Sequence, residues 1–114
     1  MNQYGLDENE LARIRERDIL CVYCGKEMTR NGAGESRMDW PTIEHLHHLP
    51  PWDHHPRVAI CCWSCNGSRR DLLHEEWFAS EYCREREISI DTVAQPVRDY
   101  LARRASLLNP DVST

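Results

Sequence analysis

Two cysteine pairs carry the most specific spacing in this chain. Cys21 and Cys24 lie in CVYCG, and Cys62 and Cys65 lie in VAICCWSCNGSRRDL. Each CxxC lets two sulfurs reach one ion from a tight turn, and two such knuckles complete the tetrahedral thiolate set that structural zinc prefers. A redox pair or a group of buried free thiols is the alternative reading. Cys61 and Cys83 lie outside both knuckles. Strand alternation turns Cys61 away from Cys62, so it is expected in the core. Between the knuckles lies TIEHLHH. A carboxylate next to a histidine at a strand end, with an asparagine opening the next helix, supplies hard oxygen ligands for a divalent ion and a base to activate water. Phosphodiester hydrolysis needs that combination. The pair Glu44 and His45 alone is a weak signal, because the chain holds six histidines.

The elements that must position these groups are short. DENELARIRERD reads as a surface helix with Leu11, Ile14 and more distantly Leu6 as its apolar stripe. WPTIEHL and RVAIC are rich in β-branched residues and flank HHLPPWDHH, where Pro50 and Pro51 stop regular structure, so strand, loop, strand is expected. From Asn66 the pattern turns helical, with Leu72, Leu73, Trp77 and Phe78 at helix spacing toward a core. Asp91 or Thr92 can cap a last helix whose stripe is Val93, Val97, Tyr100, Leu101 and Leu108, with Pro96 in its first turn. His47, His48, His54 and His55 read as loop residues, with His48 a candidate extra ligand.

Length and charge bound the rest. A chain of 114 residues makes one small domain with a thin stability margin, which a metal brace would widen. The expected organisation is a helix over 1–20, a zinc-braced core over 21–70 and a helical tail over 71–114. No apolar run reaches the roughly 20 residues a membrane span needs, and no signal-peptide pattern is present, so a cytoplasmic location with reduced thiols is expected. Net charge is −5, distributed as −2, +1 and −4 over those three segments. A four-thiolate zinc site adds a formal −2, so any DNA contact should be local and short.

The order CxxC, strand with acid and histidine, loop, strand, and CxxC followed directly by asparagine and a basic residue resembles the HNH endonuclease family. CVYC, TIEH and VAICCWSCNGSRR carry the likeness, and EYCREREISIDTVAQPVRDYL is similar to the segment C-terminal to the motif in a phage and bacterial subset. The resemblance runs from about Cys21 to Leu101. It implies an α+β fold: a small ββα-metal core with a four-cysteine structural zinc site, flanked by an N-terminal helix and C-terminal helices. It further implies a metal-dependent endonuclease acting on double-stranded DNA, with Zn2+ as the structural ion and Mg2+ or Mn2+ as the catalytic one. By the same resemblance His45 is the general base, Glu44 and Asn66 hold the catalytic ion, and Arg69 contacts phosphate or the leaving group. Arg57 and Arg70 join Arg69 as expected DNA contacts.

The pattern also departs from the family. Arg57 stands where a middle asparagine orders the loop, and it cannot accept a hydrogen bond. His54 or His55 could substitute after a small register change. Arg70 replaces a common glycine, and Glu44 replaces the commoner aspartate. A catalytically degenerate DNA-binding relative and a zinc-braced protein-interaction module are the alternatives. A partner protein could supply sequence specificity.

Overall fold

Asp7 starts the first helix: its carboxylate accepts from the Glu10 N–H at 2.7 Å, and α1 runs Glu8–Arg17. The computed structural model describes residues 6–29, 37–47 and 57–108, with side chains described through 104. Leu6, Leu11 and Ile14 are buried as the stripe requires, in a cluster with Val58 and Ile60.

Two strands come next, β1 Pro41–His45 and β2 Val58–Cys62, paired antiparallel with Pro41 opposite Cys62 and His45 opposite Val58. The two-residue period gives each face its own partner. Ile43 and Ile60 look toward α1, while Ala59 and Cys61 belong to the other core, with Trp77 and Tyr100. The outer edge of β2 is not left open. Asp18 Oδ2 accepts from the Ile60 N–H at 2.9 Å, Arg17 donates to the Val58 carbonyl at 3.0 Å, and Val22 N–H reaches the Ile60 carbonyl at 3.3 Å. Edge groups that would otherwise invite another strand are thereby satisfied.

β2 passes without a loop into α2, Trp63–Arg69, whose N-cap is the Cys62 sulfur accepting from the Cys65 N–H. The helix begins three residues earlier than the sequence pattern suggested and stops sooner. Arg70 takes φ 55°, a left-handed value that ends the helix. A continuous helix from Asn66 to Phe78 is therefore not formed, and Leu72 and Leu73, expected in the core, are exposed. After that turn come α3 His74–Phe78, α4 Glu81–Arg86 and α5 Gln95–Leu108. His74 and Trp77 face inward from α3, and Cys83 from α4. Val97 and Tyr100 of α5 are buried, Val93 is buried just before the helix begins, and Pro96 is its second residue. Thr92 closes the turn over 89–92, accepting from the Ser89 N–H at 2.8 Å. The side chain of Leu108 lies outside the described residues. The Ala94 N–H donates to the Val22 carbonyl at 2.8 Å, fastening the tail to the first knuckle.

The architecture is thus mixed α+β: a two-stranded sheet with five α-helices among the described residues. No helix of the described residues is long and apolar enough to cross a membrane.

Candidate metal centre and the adjoining strand end

The first knuckle is a tight turn closed by main-chain bonds from Cys21 N–H to the Lys26 carbonyl at 3.0 Å and from Gly25 N–H to the Cys21 carbonyl at 2.9 Å. Gly25 sits at φ +77°, where a side chain would be strained. The Cys21 sulfur accepts from the Cys24 N–H at 3.5 Å and the Cys62 N–H at 3.4 Å. The second knuckle straddles the junction of β2 and α2, and Tyr82 Oη donates to the Cys65 sulfur at 3.3 Å. All four sulfurs lie within 4.8 Å of one another. Tetrahedral zinc with bonds of ~2.3 Å places its sulfurs about 3.8 Å apart, so a small inward movement completes the site. The donor set fits zinc in number, softness and spacing.

The four thiols titrate as one group. Hydrogen bonds from Cys24, Cys62 and Cys65 hold Cys21 down, while the thiolate at Cys21 is the first cause pushing Cys62 and Cys65 up. Cys24 is also lowered, to about 7, and a divalent cation replaces the protons that remain on the set.

Tyr23, between the first two cysteines, is itself buried and carries the knuckle into a second site. Its hydroxyl donates to Glu44 Oε2 at 2.6 Å. Arg69, the last residue of α2, donates to the same oxygen at 2.9 Å and to the carbonyls of His45 and Leu46, both at 3.1 Å. His74 Nε2 lies 3.0 Å from Tyr23 Oη. With the tyrosine proton directed at the carboxylate, that nitrogen is the donor and the ring is the Nε2–H tautomer. Burial, then the charges of Arg69 and Arg104, push His74 down to about 2, so the ring is neutral. Burial pushes the Glu44 carboxyl up, although Arg69 and Tyr23 pull it down.

This geometry fixes where the acid sits and corrects one expectation. Adjacent strand residues point to opposite faces, and the Glu44 side chain is 0% exposed beneath α2. Arg69 does not face outward to phosphate; its side chain is 1% exposed and is the counter-ion of Glu44. A buried carboxylate requires such a partner. Glu44 Oε1, however, is buried with no hydrogen-bond partner. Asn66, one helical turn before Arg69, donates from Nδ2 to Thr42 Oγ1 at 2.9 Å and to the Ile43 carbonyl at 3.2 Å, which leaves its Oδ1 over. Two hard oxygen donors therefore remain on this side of β1, and in kind they fit a divalent cation. Arg69 on Oε2 offsets much of the charge such an ion would meet.

The remaining expected residues are dispersed. His45 ends β1, half-buried, opposite Val58. Arg57 contributes its carbonyl, which accepts from the Leu46 N–H at 2.8 Å and extends the hairpin ladder by one pair. Arg70 is exposed, its Nε 3.3 Å from the Gly67 carbonyl. His47, read as a loop residue, is buried with Nδ1 2.9 Å from Tyr100 Oη. His48, His54 and His55 lie outside the described residues. Sequence reasoning missed Tyr23 as the hydrogen-bond donor to the acid and His74 as that tyrosine's partner. No protein-family model, curated protein or solved structure matches the chain.

Proposed function

We propose that the protein is a zinc-braced, metal-dependent DNA endonuclease of the HNH type. One observation carries this reading: Asn66 and Arg69, on one face of α2, both bond the distant strand that ends in His45, Asn66 at Thr42 and Ile43 and Arg69 at Glu44 and the carbonyls of His45 and Leu46. A base held by an immobile main chain loses little orientational freedom during reaction. Neutral His45 accepts a proton from the attacking water, a contribution of about 10² to 10⁴ in rate. Glu44 and Asn66 are the residues that would hold Mg2+ or Mn2+, which when bound offsets charge on the phosphate. With Arg69 turned inward, Arg70 and Arg57 are the cations assigned to DNA phosphates. The four-cysteine site binds zinc and keeps β1, β2 and α2 in register.

The test is a supercoiled-plasmid assay in EDTA and in added Mg2+ or Mn2+, with zinc content measured alongside. Ion-dependent cutting that disappears in His45→Ala at unchanged zinc content supports the enzyme. Stable zinc and DNA binding without cutting under any ion selects the degenerate binding module, which the mutual neutralisation of Glu44 and Arg69 favours.

A further inference from the structure

The surface beside Asn66 holds an aromatic platform that the hydrolytic reading does not use. Trp40, after the 3-10 turn Arg37–Asp39, and Trp63, the first residue of α2, meet edge to face with ring centres 6.5 Å apart. The main-chain N–H of Trp63 donates to the Trp40 carbonyl at 2.8 Å, which holds the two residues side by side. The Arg37 guanidinium lies 5.4 Å from one ring centre and 5.5 Å from the other, with no ion-pair partner among the described residues. Trp63 remains 43% exposed. Next to it opens a cleft of about 270 Å3 lined by Thr42, Trp63, Asn66 and Gly67.

Gly67 is the second observation. A glycine inside a helix costs about 1 kcal/mol relative to alanine. Close packing usually explains one, yet a Cβ at position 67 would meet nothing within 4 Å. Its missing side chain keeps the cleft open. A planar ring, a cation beside it and an open cleft together match a nucleotide: base on indole, phosphate on guanidinium. An apolar peptide would leave the Arg37 charge unanswered.

We propose that this platform binds one unstacked nucleotide of single-stranded DNA, so that single-stranded or frayed DNA is preferred to closed duplex. The inference rests on the nucleic-acid part of the proposed function and not on its chemistry. The probes are a fluorescent dT12, the matching duplex, an abasic oligonucleotide of equal charge and an acidic peptide, titrated against the zinc-loaded protein. Base stacking of ~1–3 kcal/mol per base corresponds to roughly a 5- to 150-fold loss in Trp63→Ala, with most of the binding kept in Trp63→Phe. Gly67→Leu should fill the cleft and weaken dT12 by a similar factor without lowering the melting temperature. Arg37→Ala should flatten the salt dependence by about 0.7 in log–log slope, one phosphate contact. Equal binding of dT12 and the abasic strand, unchanged binding in Gly67→Leu, or saturable peptide binding that excludes dT12 would each overturn the platform. His45→Ala separates the two readings: it should lose cleavage and keep the preference for dT12. A wild type that binds dT12 without cutting leaves the platform standing and removes the enzyme.

Discussion

The two ends of the hairpin are held by different chemistry. At the Pro41–Cys62 end four sulfurs gather around a point that a soft cation can occupy. At the His45–Val58 end a carboxylate, a guanidinium, a phenol and an imidazole are packed without solvent. α2 joins them, opening at Cys62 in the first and closing at Arg69 in the second; seven residues rise only about 10 Å. Filled by a metal ion, the first end would be dismantled from solution by a chelator. The second can be dismantled only by changing a residue. On the proposed zinc reading, a domain this small uses an exchangeable brace for assembly and a fixed ion pair for alignment of the strand end.

The largest expected effect is at the exchangeable end. Cys62→Ser removes a ligand and the α2 N-cap at once, so the protein should lose its one zinc and most of its cooperative unfolding transition. Cys83→Ser, buried in α4 and outside the cluster, should leave zinc content at one per chain. Metal analysis and circular dichroism read both. Tight zinc retained in Cys62→Ser would mean that the ligand set is different.

The fixed end comes next. Arg69→Ala strands the Glu44 carboxylate in the core, which typically costs about 3–5 kcal/mol. Replacing both partners, Glu44→Leu with Arg69→Met, should cost clearly less, because no charge is then left buried. Urea unfolding of the zinc-saturated proteins checks the ordering. A double variant weaker than Arg69→Ala would show that the pair stabilises by more than mutual compensation.

The contrast also explains which parts of the molecule were legible in the sequence. A CxxC knuckle is local: four residues fix where two sulfurs go, and only the meeting of two knuckles depends on the fold. The strands were legible because Thr42, Ile43, Val58 and Ile60 favour a pleated surface and prolines bound the loop. The inward turn of Glu44 and Arg69 had a signal that adjacency obscured. Ile43 and Glu44 must face opposite sides, so an apolar Ile43 toward α1 sends Glu44 under α2, where Asn66 and Arg69 share one helical face. Tyr23 and His74 had none, since Tyr23 reaches the acid only through the meeting of knuckle and strand, and His74 reaches Tyr23 only through the packing of α3. Leu72 and Leu73 misled because helix spacing was extended through Arg70, whose positive φ has no mark in its side chain.

A smaller effect tests whether the imidazole belongs to the fixed end. His74 is held at about 2, far below the ordinary ~6.5 of the unfolded chain. Between those values the unfolded state binds more protons, so stability is complete above about pH 6.5 and falls as pH drops. From pH 7 to pH 5 the loss from this group should reach about 2 kcal/mol. His74→Gln keeps a donor for Tyr23 but does not titrate, so its unfolding midpoint should be flatter over that range. Glu44, with its carboxyl raised, acts with the opposite sign and becomes less costly as it protonates. Zinc thiolates also weaken in acid, but they do so in both proteins, and the difference between them isolates the imidazole. Parallel curves would place the acid sensitivity elsewhere.

The smallest effect lies one residue away, on the surface. Glu75 pairs with Arg104, joining α3 to α5, and the guanidinium holds the carboxyl below its usual range. A depressed carboxyl stabilises above its unfolded value and loses that contribution as pH falls through the folded one, the same direction as His74. The two are separable by salt. Glu75 is 60% exposed, so its charge is screened, whereas the cost of charging His74 is mainly desolvation, which ions outside the core do not relieve. Arg104→Ala should therefore cost under about 1 kcal/mol at low ionic strength and nothing measurable in ~1 M NaCl. The acid slope that distinguishes wild type from His74→Gln should persist in the same salt. If both vanished together, the His74 shift would arise from long-range charge and not from burial, and the imidazole would belong with the exchangeable surface electrostatics.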